Sequence, residues 1–148
     1  MSEWHGLVSS PFPVPPIFGR PVWFQSDTSC RADYLSLSRL NWQTFNEEQL
    51  DLWQGITLYH APGHTPGLCI MQVNLPKDGT WIWTTDQYHV RENYHDDHPH
   101  GWLIRDYRSW IDSGKKIKRL QRLFQANLIF GHDYGVAEEF IKAKKFYE

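Results

Sequence analysis

The segment Ala61-Pro62-Gly63-His64-Thr65-Pro66-Gly67 surrounds a single histidine with two prolines and two glycines. It follows Ile56-Thr57-Leu58-Tyr59, a run typical of a β-strand. Proline restricts the backbone and glycine permits tight turns, so this loop holds its imidazole in a defined position. A residue held in this way is better suited to binding a ligand than to filling a core. The segment therefore predicts a binding loop at the end of a strand.

Two further residues of metal-ligand type stand where a strand-like run ends. Asp86 follows Thr80-Trp81-Ile82-Trp83-Thr84-Thr85, and His132 follows Asn127-Leu128-Ile129-Phe130-Gly131. Histidine nitrogen and aspartate oxygen form a ligand set that zinc favours, and two histidines with one carboxylate leave a position for water. We therefore expect His64, Asp86 and His132 to meet along one edge of a sheet. The alternative is structural, namely two turn histidines and an aspartate that caps backbone amides.

Composition indicates one soluble globular domain over residues 1–148, since 41% of the residues are apolar and 22% are charged. The net charge of −2 gives no attraction to nucleic acid or to a membrane surface. No apolar run approaches the roughly 20 residues that span a bilayer. The chain shows no signal-peptide pattern and has only two cysteines, Cys30 and Cys69, so we expect a reducing, cytoplasmic location.

The order of predicted elements indicates an α/β (α+β) fold in which helices cover one face of a sheet. Five prolines between residues 11 and 21 predict that residues 1–21 form an irregular leader. The elements predicted after the leader are a short strand at 22–25, a short helix at 30–38, strands at 55–60, 67–74 and 80–85, a long loop at 87–104 with room for a helical turn, a helix at 105–124, a strand at 127–131 and a helix at 136–146. The basic residues of the helix at 105–124 are interpreted as its solvated outer face.

The order of three segments resembles the metallo-β-lactamase superfamily: Ala61–Gly67, then Thr84-Thr85-Asp86, then Phe130-Gly131-His132-Asp133. Arg91-Glu92-Asn93-Tyr94, which follows the aspartate, is most similar to the acyl-homoserine-lactone lactonase branch of that superfamily. The resemblance covers about residues 45–148. It implies a partial metallo-β-lactamase-like αβ/βα sandwich that contains mainly the second half of the fold.

This resemblance implies a metal-dependent hydrolase that acts on a lactone or another ester-type carbonyl of a small molecule. His64 would bind a first zinc ion and His132 a second, with Asp86 between them, and a zinc-activated water would attack the carbonyl. Lactonases similar to this chain carry a tyrosine three residues after that aspartate. Here the position is His89, with Tyr88 beside it, so either side chain is a catalytic candidate for a hydrogen bond to the substrate. His60 is predicted to support the loop rather than to bind metal.

One departure from the superfamily pattern is large, because the upstream HxHxDH motif, which supplies the other metal ligands, is absent. The run His95-Asp96-Asp97-His98-Pro99-His100 is predicted to be an exposed lid or substrate-side loop, with adventitious metal binding as the alternative.

The absence of the motif leaves two alternatives to an active hydrolase of one or two zinc ions. The first is a non-catalytic, truncated remnant of the same fold. The second is an interaction module whose sheet exposes an apolar face to another copy or to a partner chain, unless residues 1–45 cover it. The residues considered for that face are Leu68, Ile70, Trp81, Ile82 and Trp83.

Overall fold

The computed structural model describes residues 17–19 and 42–143, with side chains from residue 43 to residue 139. The predicted strand at 22–25, the predicted helix at 30–38 and the last residues of the predicted C-terminal helix lie outside the described residues. The chain divides into two units, Met1–Phe45 and Asn46–Glu148, which are described separately. The single-domain organisation stays a prediction.

In the first unit, strand β1 (Ile17–Gly19) pairs in parallel with strand β2 (Trp42–Thr44). The expectation that residues 1–21 are irregular throughout is wrong at these three positions. β1 contains none of the prolines of the leader, so each of its residues keeps a backbone N–H for the ladder.

The described residues of the second unit form a five-stranded mixed sheet and three α-helices, as the α+β prediction requires. The strands, in the order in which they lie across the sheet, are β3 (Gln49–Trp53), β4 (Ile56–His60), β5 (Cys69–Leu75), β6 (Gly79–Trp83) and β7 (Asn127–Ile129). The helices are α1 (Arg91–His95), α2 (Tyr107–Phe124) and α3 (Tyr134–Ala143). Among the described residues, no helix is long and apolar enough to cross a membrane.

One face of this sheet forms the core with α2. Ile70 and Ile82 are fully buried, and they pack in one cluster with Trp110 and Ile117 of the helix. Because successive side chains of a strand point to opposite faces, Trp81 and Trp83 lie on the other face, where Trp83 is 44% exposed. Of the residues considered for an exposed apolar face, Ile70 and Ile82 therefore belong to the core instead. Leu68, which precedes β5, is buried as well.

The strand directions bring three strand ends to the same edge of the sheet. β4 and β6 run in the same direction because each is antiparallel to β5 between them, and β7 is parallel to β6. The carboxyl ends of β4, β6 and β7 consequently lie on one side. The segments that follow them carry His64, Asp86 and His132, so the topology gathers the three predicted ligands at one edge.

Candidate metal centre

The loop that carries His64 is fixed against the beginning of α2. The Gly63 carbonyl accepts hydrogen bonds from the backbone N–H groups of Arg105 and Asp106, at 3.0 and 2.9 Å. The Ser113 hydroxyl donates to the Pro62 carbonyl at 2.7 Å. These contacts hold the two residues directly before His64 and so fix the position from which its imidazole projects.

Gly63 allows this close approach. Its φ is +144°, a conformation that residues with a side chain rarely adopt. A Cβ at this position would lie 2.4 Å from the Cα atom of Trp110, well inside van der Waals contact. Glycine is therefore required at position 63 for the loop to rest on the helix.

His60 supports the same loop from β4. Its Nε2 atom lies 2.8 Å from the Pro66 carbonyl oxygen, and its Nδ1 atom lies 3.3 Å from Oε1 of Glu48. Lys116 of α2 donates to the His60 carbonyl at 2.7 Å and to the Glu48 carboxylate at 2.8 Å. This is the supporting role that the sequence predicted for His60.

Asp86 and His132 meet because the loops that carry them are hydrogen-bonded to each other. The N–H groups of Gly131 and His132 donate to the carbonyls of Tyr88 and His89, at 3.1 and 2.8 Å. As a result, Nε2 of His132 lies 2.7 Å from Oδ1 of Asp86. A Cβ at Gly131 would lie 2.4 Å from a backbone oxygen of the facing loop, so this approach also depends on a glycine.

The structure separates the two catalytic candidates that follow the aspartate. The His89 ring lies 4.5 Å from the ring of His132, centroid to centroid, and its Nε2 atom is 3.7 Å from Oδ1 of Asp86. Tyr88 is fully buried and packs edge-on against Trp110, and burial raises the pKa of its hydroxyl. Of the two neighbours, only His89 lies beside Asp86 and His132.

A fifth residue, His100, joins this group. The sequence predicted that its segment is an exposed lid or a substrate-side loop. Its Nε2 atom lies 3.2 Å from Nδ1 of His64, and its ring stacks on that of His89 at 3.8 Å with an interplanar angle of 14°. His98, two residues earlier, is exposed. The His-x-His pair at 98–100 was the only sequence signal available, and it could not tell which histidine turns inward.

The conformation of the segment before His100 is set by Asn93. Its side chain accepts a hydrogen bond from the backbone N–H of Val90 at 3.0 Å and donates to the His98 carbonyl at 2.8 Å. Lys118 of α2 pairs with Asp97 at 2.5 Å. The segment therefore folds back on itself and is attached to the helix.

Five ligand-type side chains thus form two overlapping groups, His64–His89–His100 and Asp86–His89–His132. Within each group the candidate ligand atoms lie within 4.8 Å of one another. Such a set of imidazole nitrogens and one carboxylate suits zinc.

The electrostatics of the cluster keep two of its imidazoles neutral, the form that binds metal. Burial, with the neighbouring His89 and His64, lowers the pKa of His100 to about 4. Burial, with the neighbouring His132, also lowers the pKa of His89. Nε2 of His89 and Nδ1 of His100 are buried and have no hydrogen-bond partner among the described residues, which is uncommon for buried polar atoms. These unpartnered nitrogens fit a cluster that accepts a metal ion.

A pocket of about 270 Å³ opens beside His64 and is lined by His64, Thr65, Trp102, Leu103 and Arg105. Trp102 and Leu103 belong to a single 3₁₀ turn, Gly101–Leu103, that directly follows His100. The pocket thus combines apolar surface with one cationic side chain next to the histidine cluster.

No protein-family model matches the chain. It is 27% identical over 136 residues to the N-acyl homoserine lactonase AttM of Azorhizobium caulinodans, a match that covers 86% of this chain and 50% of that protein. It is 29% identical over 97 residues to an N-acyl homoserine lactonase of a Bacillus species, covering 66% of this chain and 38% of that one.

Two crystal structures show the same fold, each with a TM-score of 0.75 and 22% sequence identity, over 90% of this chain and 52% of the other. One is a variant of the Bacillus thuringiensis protein AiiA with N-decanoyl-L-homoserine bound at its active site. The other is an N-acyl homoserine lactone hydrolase with its product, N-hexanoyl-L-homoserine, bound at the catalytic metal centre.

Over the matched residues, the chain has the same fold as these two structures. It spans about half the length of the curated relatives it matches. The sequence-based prediction of a metallo-β-lactamase-like α+β fold is confirmed. That the chain is a truncated version of it stays a prediction.

Proposed function

We propose that this chain carries the metal-binding edge of a zinc-dependent hydrolase that opens lactones or related acyl esters. The observation that carries the proposal is that loops far apart in the sequence bring five ligand-type side chains to one sheet edge. His64 lies there with His89 and His100, and Asp86 lies there with His89 and His132. The similarity to N-acyl homoserine lactonases supports the choice of substrate class.

His64 would hold one metal ion and Asp86 with His132 a second, and zinc bound there would polarise a carbonyl and lower the pKa of water toward about 7. Asp86 is positioned for this by its contacts with His132 at 2.7 Å and with His89 at 3.7 Å. Of the two side chains considered for contact with the substrate carbonyl, His89 lies at this edge and Tyr88 lies in the core. Tyr88 is therefore not part of the proposed site.

The pocket beside His64 would receive the acyl part of the substrate. Trp102 and Leu103 offer apolar surface to an acyl chain, and burial of such a chain stabilises the complex by about 0.8 kcal/mol per methylene group. Arg105 would pair with carbonyl or carboxylate oxygens near the opened ring. A substrate with an acyl chain next to a lactone therefore fits the pocket better than a simple short ester.

The test is hydrolysis of an N-acyl homoserine lactone by the zinc-loaded chain, followed through the proton released on ring opening. Loss of a residue that only orients a metal ligand typically costs about 10–100-fold, so Asp86→Asn should lower kcat/KM by at least about 100-fold. His98→Ala is the matched control, since His98 is an exposed histidine outside both groups. Turnover that Asp86→Asn leaves unchanged would contradict the proposal.

The same preparation separates the two alternatives. A non-catalytic remnant would bind zinc at His64, Asp86 and His132 without turnover. An interaction module would self-associate or capture a partner through the sheet face of Trp81 and Trp83, and sedimentation velocity of the wild type against a Trp83→Lys variant would detect self-association.

A further inference from the structure

We propose that His64, His89 and His100 form a three-nitrogen site that binds one zinc-class dication through this chain's own residues. The inference deepens the proposed function, with which it shares His64, but it concerns metal binding and fails or succeeds separately from hydrolysis.

The spacing of the nitrogens carries the proposal. Zinc–nitrogen bonds of about 2.0–2.1 Å in a tetrahedral site place two ligand nitrogens about 3.3–3.4 Å apart. Nδ1 of His64 and Nε2 of His100 are already 3.2 Å apart. The candidate atoms of all three histidines lie within 4.8 Å of one another. A contraction of about 1.5 Å at most, within the range of small side-chain rotations, would therefore complete three corners of a tetrahedron.

The cluster is poorly satisfied as a purely structural arrangement. His64 and His100 face each other through ring nitrogens, which requires one of them to carry a proton toward the other. Nε2 of His89 is buried and lacks a hydrogen-bond partner among the residues that the structure describes. A dication replaces the contact between His64 and His100 with two coordinate bonds and gives His89 a third.

The position of His100 is fixed by hydrogen bonds of its own segment. Asn93 joins the two ends of its segment, at Val90 and His98. The hydroxyl of Tyr94 donates to the side chain of Gln121, so that the segment is also attached to α2. His95 and His98, from the same histidine-rich run, are exposed. The segment thus turns one of its three histidines toward His64 and leaves the other two in solvent.

The experiment is a titration of the metal-free chain with cobalt(II), read from the visible absorption of four-coordinate cobalt and repeated in competition with zinc. His100→Ala should weaken cobalt binding by at least about 100-fold and abolish the four-coordinate band. His98→Ala, the matched control from the same segment, should bind as the wild type does. Equal binding by the wild type and His100→Ala would overturn the proposal.

Two further measurements test the site without relying on the folding of His100→Ala. X-ray absorption of the zinc-loaded wild type should count three imidazoles, and a site of one imidazole with carboxylate oxygens would overturn the assignment. His132→Ala changes the other group and should keep the cobalt band. If His132→Ala loses the band while His100→Ala keeps it, the ion lies at Asp86 and His132 instead.

The lactonase assay distinguishes the two proposals. If the chain binds cobalt through His100 but opens no lactone, the three-histidine site is supported and the proposed function is refuted. If His100→Ala opens lactones at an unchanged rate and keeps its cobalt band, the proposed function is supported and the three-histidine site is refuted.

Discussion

Gly63→Ala should destabilise the chain by more than any ordinary loop substitution. Two costs add. The φ of +144° lies in a region that residues with a Cβ occupy at a cost of about 1–3 kcal/mol. The new Cβ would also lie 2.4 Å from the backbone of Trp110, so the loop must move away from α2, and overpacking of this kind costs about 1–3 kcal/mol. We expect a total loss of about 2–6 kcal/mol, a large part of the roughly 5–15 kcal/mol that stabilise a typical domain.

The assay is urea unfolding followed by tryptophan fluorescence and circular dichroism, with Gly79→Ala as the matched control. Gly79 also has a positive φ, +75°, but a Cβ there meets no atom within 4 Å among the described residues. Gly79→Ala should therefore lower the free energy of unfolding only by the conformational cost of about 1–2 kcal/mol. The difference between the two free energies of unfolding reports the contact of the Gly63 loop with Trp110 together with the greater backbone restriction at Gly63.

The same variant should weaken cobalt or zinc binding, since the loop that retreats from Trp110 carries His64. Equal free energies of unfolding for Gly63→Ala and Gly79→Ala would refute the close packing of the loop on the helix. Unchanged metal affinity together with a large loss of stability would refute the link between that packing and the position of His64.

Three other changes have defined outcomes. The hydrogen bond from Lys116, with help from His60, lowers the pKa of Glu48, so its contribution to stability is present above about pH 4.3 and is lost as the pH falls through the lower folded-state pKa. Glu48→Gln should accordingly flatten the acid side of the curve of unfolding free energy against pH. At neutral pH it should lower the free energy of unfolding by less than about 1 kcal/mol, because the carboxylate is exposed. A curve from urea unfolding that the substitution leaves unchanged would contradict this. Asn93→Ala should lower the free energy of unfolding by about 1–3 kcal/mol and speed amide hydrogen exchange across residues 90–100. Unaltered exchange there would show that the Asn93 side chain does not hold the segment. Zinc at about 100 times its Kd should raise the free energy of unfolding by about 2.7 kcal/mol, and a chelator should remove this gain. A melting temperature that neither zinc nor the chelator changes would exclude a native-state metal site.

Regular elements with a clear periodicity were predictable. The predicted strands at 55–60, 67–74 and 80–85 correspond to β4, β5 and β6, and the predicted helix at 105–124 corresponds to α2. Their patterns of apolar residues reflect burial on one face, which is a local property of the sequence. β3 was not predicted, because this edge strand has two polar residues, Gln49 and Asp51, on its exposed side and only five residues in all.

The arrangement of the histidines was only partly predictable. His64 and His132 could be proposed as ligands because each lies in the loop that follows a strand-like run. His100 could not, since its approach to His64 depends on a segment that folds back through Asn93 onto α2. Whether His89 or Tyr88 joins the cluster depended in the same way on the direction in which the chain leaves β6.

Residue types and local spacing were enough to identify a strand-end site of imidazole and carboxylate ligands, because loop rigidity and ligand chemistry belong to short segments. Tertiary structure alone decided which atoms meet. The backbone contacts at Gly63 with Trp110 and at Gly131 with the loop after β6 bring together side chains that are 36 to 46 positions apart. Distances of that kind arise from the packing of whole elements, and no local pattern in the chain encodes them.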